Sequence, residues 1–424
     1  ILCILIYLPP IQNFLVDKAA VYASEATGMN ISVGRISLSF PLNLVVTDVD
    51  AASPHNDTLL SVRRLQVNVQ LLPLLKKQVE VDGISLQGAT VNSNDLIHGM
   101  KLNGTLGELF ISSHGVALDP ETAIVNKVLL KDTDLSLCLN DTAAADTAAS
   151  DTTYWKIILQ DIDLQNVSFA LDMPLDSLSL AASLDNAILR DGLIDLHKSA
   201  YSLQTFRIKN GRVRYDSGKP LAADSLPSGL DPSHIALTDI GVKLDSLYYE
   251  GRNMKAIISQ FVLKERSGVE IVSATGRMVS NDKVLRVPSL KLETRDSYLE
   301  LNAAMDWNAL DFKDEGLVSA RLMADIGKPD VVRFMGSMDE KFIRQYPSEP
   351  LRIRTGIDGD LNKLKLTTLT AELPGALGLF ARGELTHLTD SLLRGGDITL
   401  EAETKDLKFV STLAEGIEIP YGTR

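Results

Sequence analysis

The chain has 424 residues, 45% of them hydrophobic but only 5% aromatic, so its apolar content is overwhelmingly Leu, Ile, Val and Ala and its interior is expected to be aliphatic. That length exceeds one ordinary compact core and implies several domains or one extended repetitive body, the composition favouring the second. A formal net charge of −13, with no Lys/Arg stripe interleaved with aromatics, speaks against nucleic acid as a partner, and Cys3 and Cys138 form neither a disulfide framework nor a metal-ligand spacing.

The first residues are apolar without interruption: Ile1, Leu2, Cys3, Ile4, Leu5, Ile6, Tyr7 and Leu8. A bilayer crossing needs about 20 residues, so 1–8 read as the end of a truncated N-terminal transmembrane helix, with Ile1, Leu2, Ile4, Leu5, Ile6 and Leu8 as its membrane-facing residues. A signal-peptide apolar region and a buried strand are the other readings. Residues 9–28 follow as an amphipathic helix: Ile11, Phe14, Leu15, Lys18, Ala19 and Tyr22 fall at helical spacing, Pro10 suits the first helical position and Gly28 the C-terminal cap.

From residue 29 to 424 the period changes from 3.6 to 2. Ile31-Ser32-Val33, Ile36-Ser37-Leu38-Ser39-Phe40, Leu65-Gln66-Val67-Asn68-Val69, Val79-Glu80-Val81, Ile84-Ser85-Leu86 and Leu135-Ser136-Leu137 alternate as half-buried strands do. One pattern recurs. Val81-x-x-Ile84-x-Leu86-Gln87-Gly88-Ala89-x-Val91 aligns with Leu159-x-x-Ile162-x-Leu164-Gln165-Asn166-Val167-x-Phe169 and with Leu203-x-x-Phe206-x-Ile208-Lys209-Asn210-Gly211-x-Val213. Each copy reads as a strand, a two-residue polar turn and the start of another strand, so the body is expected to be stacked β units. Residues 141–153 (DTAAADTAASDTT) and 216–233 read as solvated loops. Short helices are expected at Pro120–Leu130 and near 329–346, where Val331, Val332, Phe334, Met335, Phe342 and Ile343 supply an apolar face.

No motif carries catalytic chemistry. The histidines, His55, His98, His114, His197, His234 and His387, include no pair at metal-ligand spacing. Gly218-Lys219 lacks the rest of a phosphate loop. Asp358-x-Asp360-x-Asn362 begins like a calcium loop but has Lys363 in place of the turn glycine, and reads as a polar hairpin turn. The pairs Asp132/Asp134 and Asp161/Asp163 read as the solvated face of strands, and no Gly-x-Ser-x-Gly elbow occurs. Nothing points to an enzyme, a cofactor or a metal.

Several stretches match a known family in order and spacing up to about Val91: Gly28-Met29-Asn30-Ile31-Ser32-Val33-Gly34-Arg35-Ile36-Ser37-Leu38-Ser39-Phe40-Pro41-Leu42, Asp57-Thr58-Leu59-Leu60-Ser61-Val62, Leu71-Leu72-Pro73-Leu74-Leu75 and Val79-Glu80-Val81-Asp82-Gly83-Ile84-Ser85-Leu86. The N-terminal third thereby resembles the TamB family, within the AsmA-like group of envelope proteins. The resemblance implies a mainly β, elongated, repetitive β-taco, a long sheet folded into an open groove. It also implies a single-pass anchor in the inner membrane of a diderm bacterium, a periplasmic body and a role in outer-membrane biogenesis. Implied partners are phospholipid and a BamA-like outer-membrane barrel protein, the latter as part of a translocation and assembly module. The C-terminal domain expected of TamB is not visible.

A lipid conduit fits the residues. At about 0.8 kcal/mol per methylene, a sixteen-carbon acyl chain crossing water unprotected would cost on the order of 12 kcal/mol, a barrier that an aliphatic groove removes. About thirty strands at about 4.8 Å would make a rod of roughly 140 Å. Ile84, Leu86, Ile162, Leu164, Phe206 and Ile208 are the candidate lipid-groove residues; the alternative is that they fill a closed sandwich core. A scaffold offering its sheet edges to outer-membrane strands is the second functional expectation.

Overall fold

Alternating apolar and polar residues put one side of an extended chain against hydrocarbon and the other against water, and from residue 30 onward this chain is mostly strand. The computed structural model describes residues 20–21, 24–25, 27–40, 43–53, 57–70, 81–93, 99–118, 121–140, 154–218, 229–313, 316–335, 340–406 and 409. Among them are twenty strands, classed in one β-sheet, and a few short helices. They divide into two compact units, one reaching residue 218 and including Thr238–Ile240, the other formed by the rest from 229 onward.

The first unit contains β1 (Asn30–Ser39), β2 (Asn43–Ala52), β3 (Thr58–Val69), β4 (Val81–Asn92), β5 (Met100–Leu118), β6 (Glu121–Leu139), β7 (Lys156–Met173), β8 (Leu178–Asp195), β9 (Ala200–Leu203) and β10 (Thr205–Ser217). Consecutive strands pair antiparallel from β1 to β6. Then β6 and β7 run parallel, and β8 pairs antiparallel with β7, β9 and β10. Strand β11 (His234–Glu250) gives Thr238–Ile240 to this unit and the remainder to the second.

The second unit continues as an antiparallel meander: β12 (Asn253–Glu265), β13 (Glu270–Ser280), β14 (Val284–Thr294), β15 (Tyr298–Asp306), β16 (Leu317–Ile326), β17 (Leu351–Asp360), β18 (Lys363–Leu373), β19 (Leu377–Thr386) and β20 (Gly395–Thr404). Helix α1 (Trp307–Leu310) lies between β15 and β16, and α2 (Lys328–Met335) and α3 (Glu340–Gln345) lie between β16 and β17, inside the span expected to be helical. Phe342, Tyr346 and Phe409 pack edge and face with ring centroids 5.7–5.8 Å apart, against Leu373 and Ala376, closing a small core at that end of the sheet.

Three expectations change. The Gln87-Gly88, Gln165-Asn166 and Lys209-Asn210 pairs are not turns; they lie inside β4, β7 and β10. Fewer, longer strands result, twenty among the described residues where about thirty were expected. Of the helix expected at Pro120–Leu130, Pro120 lies outside the described residues and Glu121–Leu130 is instead the start of β6. There Ile124, Val125 and Val128 are β-branched and lose rotamer freedom in a helix, and β5 and β7 pair with this segment on either side. Asp216 and Ser217 end β10 rather than belonging to a loop.

Residues 1–8, the loop 141–153 and 219–228 lie outside the described residues. So does most of the helix expected over 9–28, of which Ala20, Val21, Ser24, Glu25 and Thr27 have helical backbone. No helix among the described residues is long and apolar enough to cross a membrane.

Gly88, Asn166 and Asn210 share a left-handed backbone, with φ of 62°, 52° and 53°. So do Asp48 in β2, Asp132 in β6 and Asp239 in β11, at 53°, 49° and 54°. These positions are aligned across the sheet. The register passes from Val33↔Val49 to Arg35↔Thr47, leaving Gly34 beside Asp48, and from Leu106↔Thr133 to Glu108↔Lys131, leaving Gly107 beside Asp132. Likewise it passes from Gln165↔Asn186 to Val167↔Leu184, leaving Asn166 beside Asp185. A single crease therefore crosses the strands of the first unit. Glycine opposite the kinked residue is steric: a Cβ on Gly34 would meet the Asp48 Cβ at 2.9 Å, and one on Gly107 the Asp132 Cβ at 2.8 Å.

Asn and Asp tolerate this conformation; a β-branched residue does not. Asn166→Val should lower the unfolding free energy by about 1–2 kcal/mol from backbone strain, and should also lose the 2.9 Å bond from Asn166 Nδ2 to Asp132 Oδ1. Asn166→Gly should cost less than about 1 kcal/mol. Urea denaturation of the two variants checks the difference.

Candidate functional site

In a regular strand residues i and i+2 share a face, and i and i+3 do not. Here the apolar residues are spaced by two, then three, then two: Ile84, Leu86, Ala89, Val91 in β4; Ile162, Leu164, Val167, Phe169 in β7; Phe206, Ile208, Gly211, Val213 in β10. The left-handed residue falls within each three-residue step and resets the alternation, so both halves of a strand present their apolar side chains to one face.

Strand pairing lines these side chains into rows. Leu86 sits opposite Leu65 and Leu109, Leu164 opposite Leu130 and Ala187, and Ile208 opposite Ala187. With Leu109 opposite Leu130, these form one continuous row beside the crease. Ile84 sits opposite Val67 and Ile111, Ile162 opposite Val128 and Leu189, and Phe206 opposite Leu189, while Ile111 opposes Val128, giving a second row. The six candidate groove residues thus fall on two adjacent rows. None of them is buried: Ile84 is 37% exposed and the others are half-buried.

Sequence reasoning missed the residues across the crease. Val62 is opposite Val49 and Ala89, and Val167 opposite Thr133 and Leu184, which builds a matching row on the other side. The three-residue step was the signal, and it was read as a turn. These rows contain no charged residue; Thr133, their one polar side chain here, is buried and donates to the Lys131 carbonyl at 3.1 Å. The opposite face is polar and stitched strand to strand: Asn166 to Asp132, Asn210 to Asp185, Ser168 to Asp134, Arg190 to Asp161, Asn186 to Asp163. Asp132, Asp134, Asp161 and Asp163, the carboxylate pairs weighed above, thus serve as cross-strand partners, as does Asp185.

The second unit, taken alone, has the same two-faced character. Leu290 is opposite Leu301, Leu301 opposite Leu322, and Leu369 opposite Ala381. Bulges rather than left-handed residues reset its alternation, as at Pro288-Ser289 in β14, where the register steps from Val287↔Ala303 to Leu290↔Leu301. An open cleft of about 460 Å³ lies against β18–β20, lined by Leu373, Leu377, Leu379, Phe380 and Glu401 among others.

Polar clusters elsewhere have structural partners. Asp330, 1% exposed, accepts from Thr294 Oγ1, from Ser297 Oγ at 2.6 Å and from Arg333 Nη1 at 3.1 Å, tying α2 to the β14–β15 turn. Asp360 Oδ1 accepts from the Asn362 and Lys363 amides at 2.9 and 2.7 Å, a hairpin turn. The hydrogen bond between His234 Nδ1 and Asp231 Oδ2, 2.8 Å, holds the Asp231 carboxyl below its usual range. His197 stacks on Tyr154, and His55 and His98 lie outside the described residues. Among the described residues no three His, Cys, Asp or Glu side chains are grouped to hold a metal ion. No protein-family model matches this chain, nor does any curated protein.

Removing the Asp330 carboxylate takes the buried acceptor from the Thr294 and Ser297 hydroxyls and leaves Arg333 with Asp296 alone. Asp330→Ala should cost about 3 kcal/mol of stability. Asp330→Asn, which keeps two acceptor lone pairs, should lose less; thermal and urea unfolding of the pair would show whether the site is structural in this way.

Proposed function

We propose that this chain carries the acyl chains of phospholipids along its apolar face, as an inner-membrane-anchored periplasmic bridge that supports outer-membrane biogenesis. The observation that carries the reading is the set of continuous, charge-free aliphatic rows that cross the strands of the first unit, most of whose members stay partly accessible although Val62 and Ala187 are buried. In a filled sandwich core these side chains would be covered. Left partly open, each methylene that meets an acyl chain gains about 0.8 kcal/mol over contact with water. The crease supports a sheet folded along its length, the β-taco of the TamB-like reading. The aliphatic composition suits mobile hydrocarbon, since Leu, Ile and Val offer contact without the directional preferences of aromatic rings. In this reading Ile1–Leu8 is the membrane anchor, and the resemblance to the TamB family supplies the compartment and direction of the argument. The protein has no catalytic role here.

The test is native mass spectrometry with lipid extraction on protein purified from a diderm bacterial host. Bound phospholipid should be present in the parent and lost in Ile84→Asp/Leu164→Asp, while Ser85→Asp/Ser183→Asp, on the polar face, should retain it. All should keep the same circular dichroism. Lipid-free parent protein, or equal retention by both double variants, overturns the reading.

A further inference from the structure

The polar face of the second unit is bridged by ion pairs between neighbouring strands, such as Lys291–Glu300 from β14 to β15 and Arg354–Asp325 from β17 to β16. Three arginines in the middle of that face break the pattern. Arg277 in β13, Arg286 in β14 and Arg321 in β16 are exposed, and among the described residues none of them takes part in an ion pair or a hydrogen bond. The chain as a whole carries a net charge of −13, so three guanidiniums without carboxylate partners are a local excess of cation. Strands β13 to β16 are each paired on both sides, so the arginines lie within the sheet and not at an edge of it.

Strand register gathers them. Arg286 lies opposite Ala304, and Ala304 opposite Ser319; Asn302, on the same face as Ala304, lies opposite Arg321; Arg277 lies opposite Ser289. The bulge at Pro288-Ser289 sets two residues of β14 against Asn302 alone. With only the small Ala304 between Arg286 and Ser319, a depression of about 230 Å³ opens, lined by Arg286, Pro288, Asn302, Ala304, Ser319 and Arg321 among others. Ser289 and Asn302 also make no side-chain hydrogen bond among the described residues. Two carboxylates, Asp306 and Asp358, line the adjoining cleft; Asp358 accepts from Ser319 Oγ at 2.6 Å and Asp306 from the Leu317 amide at 3.4 Å.

We propose that this depression binds a phosphate group, free or as a monoester on a lipid headgroup. Guanidinium forks match phosphate oxygens two at a time. Arg286 and Arg321 approach from the strands on either side of β15, Arg277 stands one strand further out, and Asn302 and Ser289 add neutral donors. A phosphate monoester offers three terminal oxygens to donors arriving from several directions, where a carboxylate offers two. The aliphatic rows lie on the other face of these strands, so a lipid lying along them does not reach this site with its phosphate; a headgroup bound here belongs to a membrane surface. The site is thus separate from the acyl-chain reading and does not rest on it.

The experiment is isothermal titration calorimetry of the full chain with inorganic phosphate, the ionic strength held constant with chloride. The parent should bind phosphate, and Arg286→Gln/Arg321→Gln should bind it about tenfold or more weakly. Lys291→Gln/Lys363→Gln removes the same charge from ion-paired positions of the same face and should bind as the parent does. Circular dichroism should be the same for all three. No binding by the parent, or equal weakening in the two double variants, overturns the proposal. Sedimentation with vesicles of phosphatidylcholine, alone or mixed with phosphatidic acid, then assigns the source. Added sedimentation on the acidic vesicles that the arginine variant loses marks a headgroup; phosphate binding without it marks free phosphate. The calorimetry contains no lipid, so its outcome is independent of the acyl-chain reading.

Discussion

The geometry of this protein depends on how a β-strand can keep its apolar side chains on one face while the chain bends. Alternation has a strict period of two, and an odd step sends every later side chain to the other side. One left-handed residue cancels the odd step. Asp48, Gly88, Asp132, Asn166 and Asn210 do this at the same level in their strands, so the cancellation is cooperative across the sheet. Each non-glycine member carries strain of order 1 kcal/mol. Hydrogen bonds from Asn166 to Asp132 and from Asn210 to Asp185, and glycine placed beside Asp48 and Asp132, offset it.

The consequence is an apolar surface whose continuity is set by backbone pairing rather than by close packing. A compact domain hides its leucines under a second layer. Here the hydrogen-bonded ladder holds the strands together, the polar face adds cross-strand bridges such as Arg190–Asp161 and Arg354–Asp325, and the aliphatic rows are left half-covered. Such surface is costly in water, and a hydrocarbon ligand along the rows would relieve that cost. The two largest fully buried side chains among the described residues, Phe409 and Asp330, lie where α2, α3 and the strand ends meet, and there the interactions are those of an ordinary core.

A sheet of this kind must also manage its edges. At β1 the Ser24 hydroxyl accepts the Ile31 amide, which would otherwise face outward from the strand edge.

The sequence by itself determined the class of the fold and the identity of the face. Period-two alternation from residue 30 made the body mainly β, and the aligned repeat singled out Ile84, Leu86, Ile162, Leu164, Phe206 and Ile208 as equivalent positions, because equivalent positions in successive strands meet the same environment. What only the tertiary structure decided was the meaning of the residues between them. Gln-Gly, Gln-Asn and Lys-Asn favour hairpin turns and kinked strands alike, since both need a residue that accepts positive φ. The choice rests on whether neighbouring strands supply hydrogen-bond partners on both sides of the kink, which is a property of the register and not of the local chain. The same reason turned Glu121–Leu130, expected as part of a helix, into the start of β6.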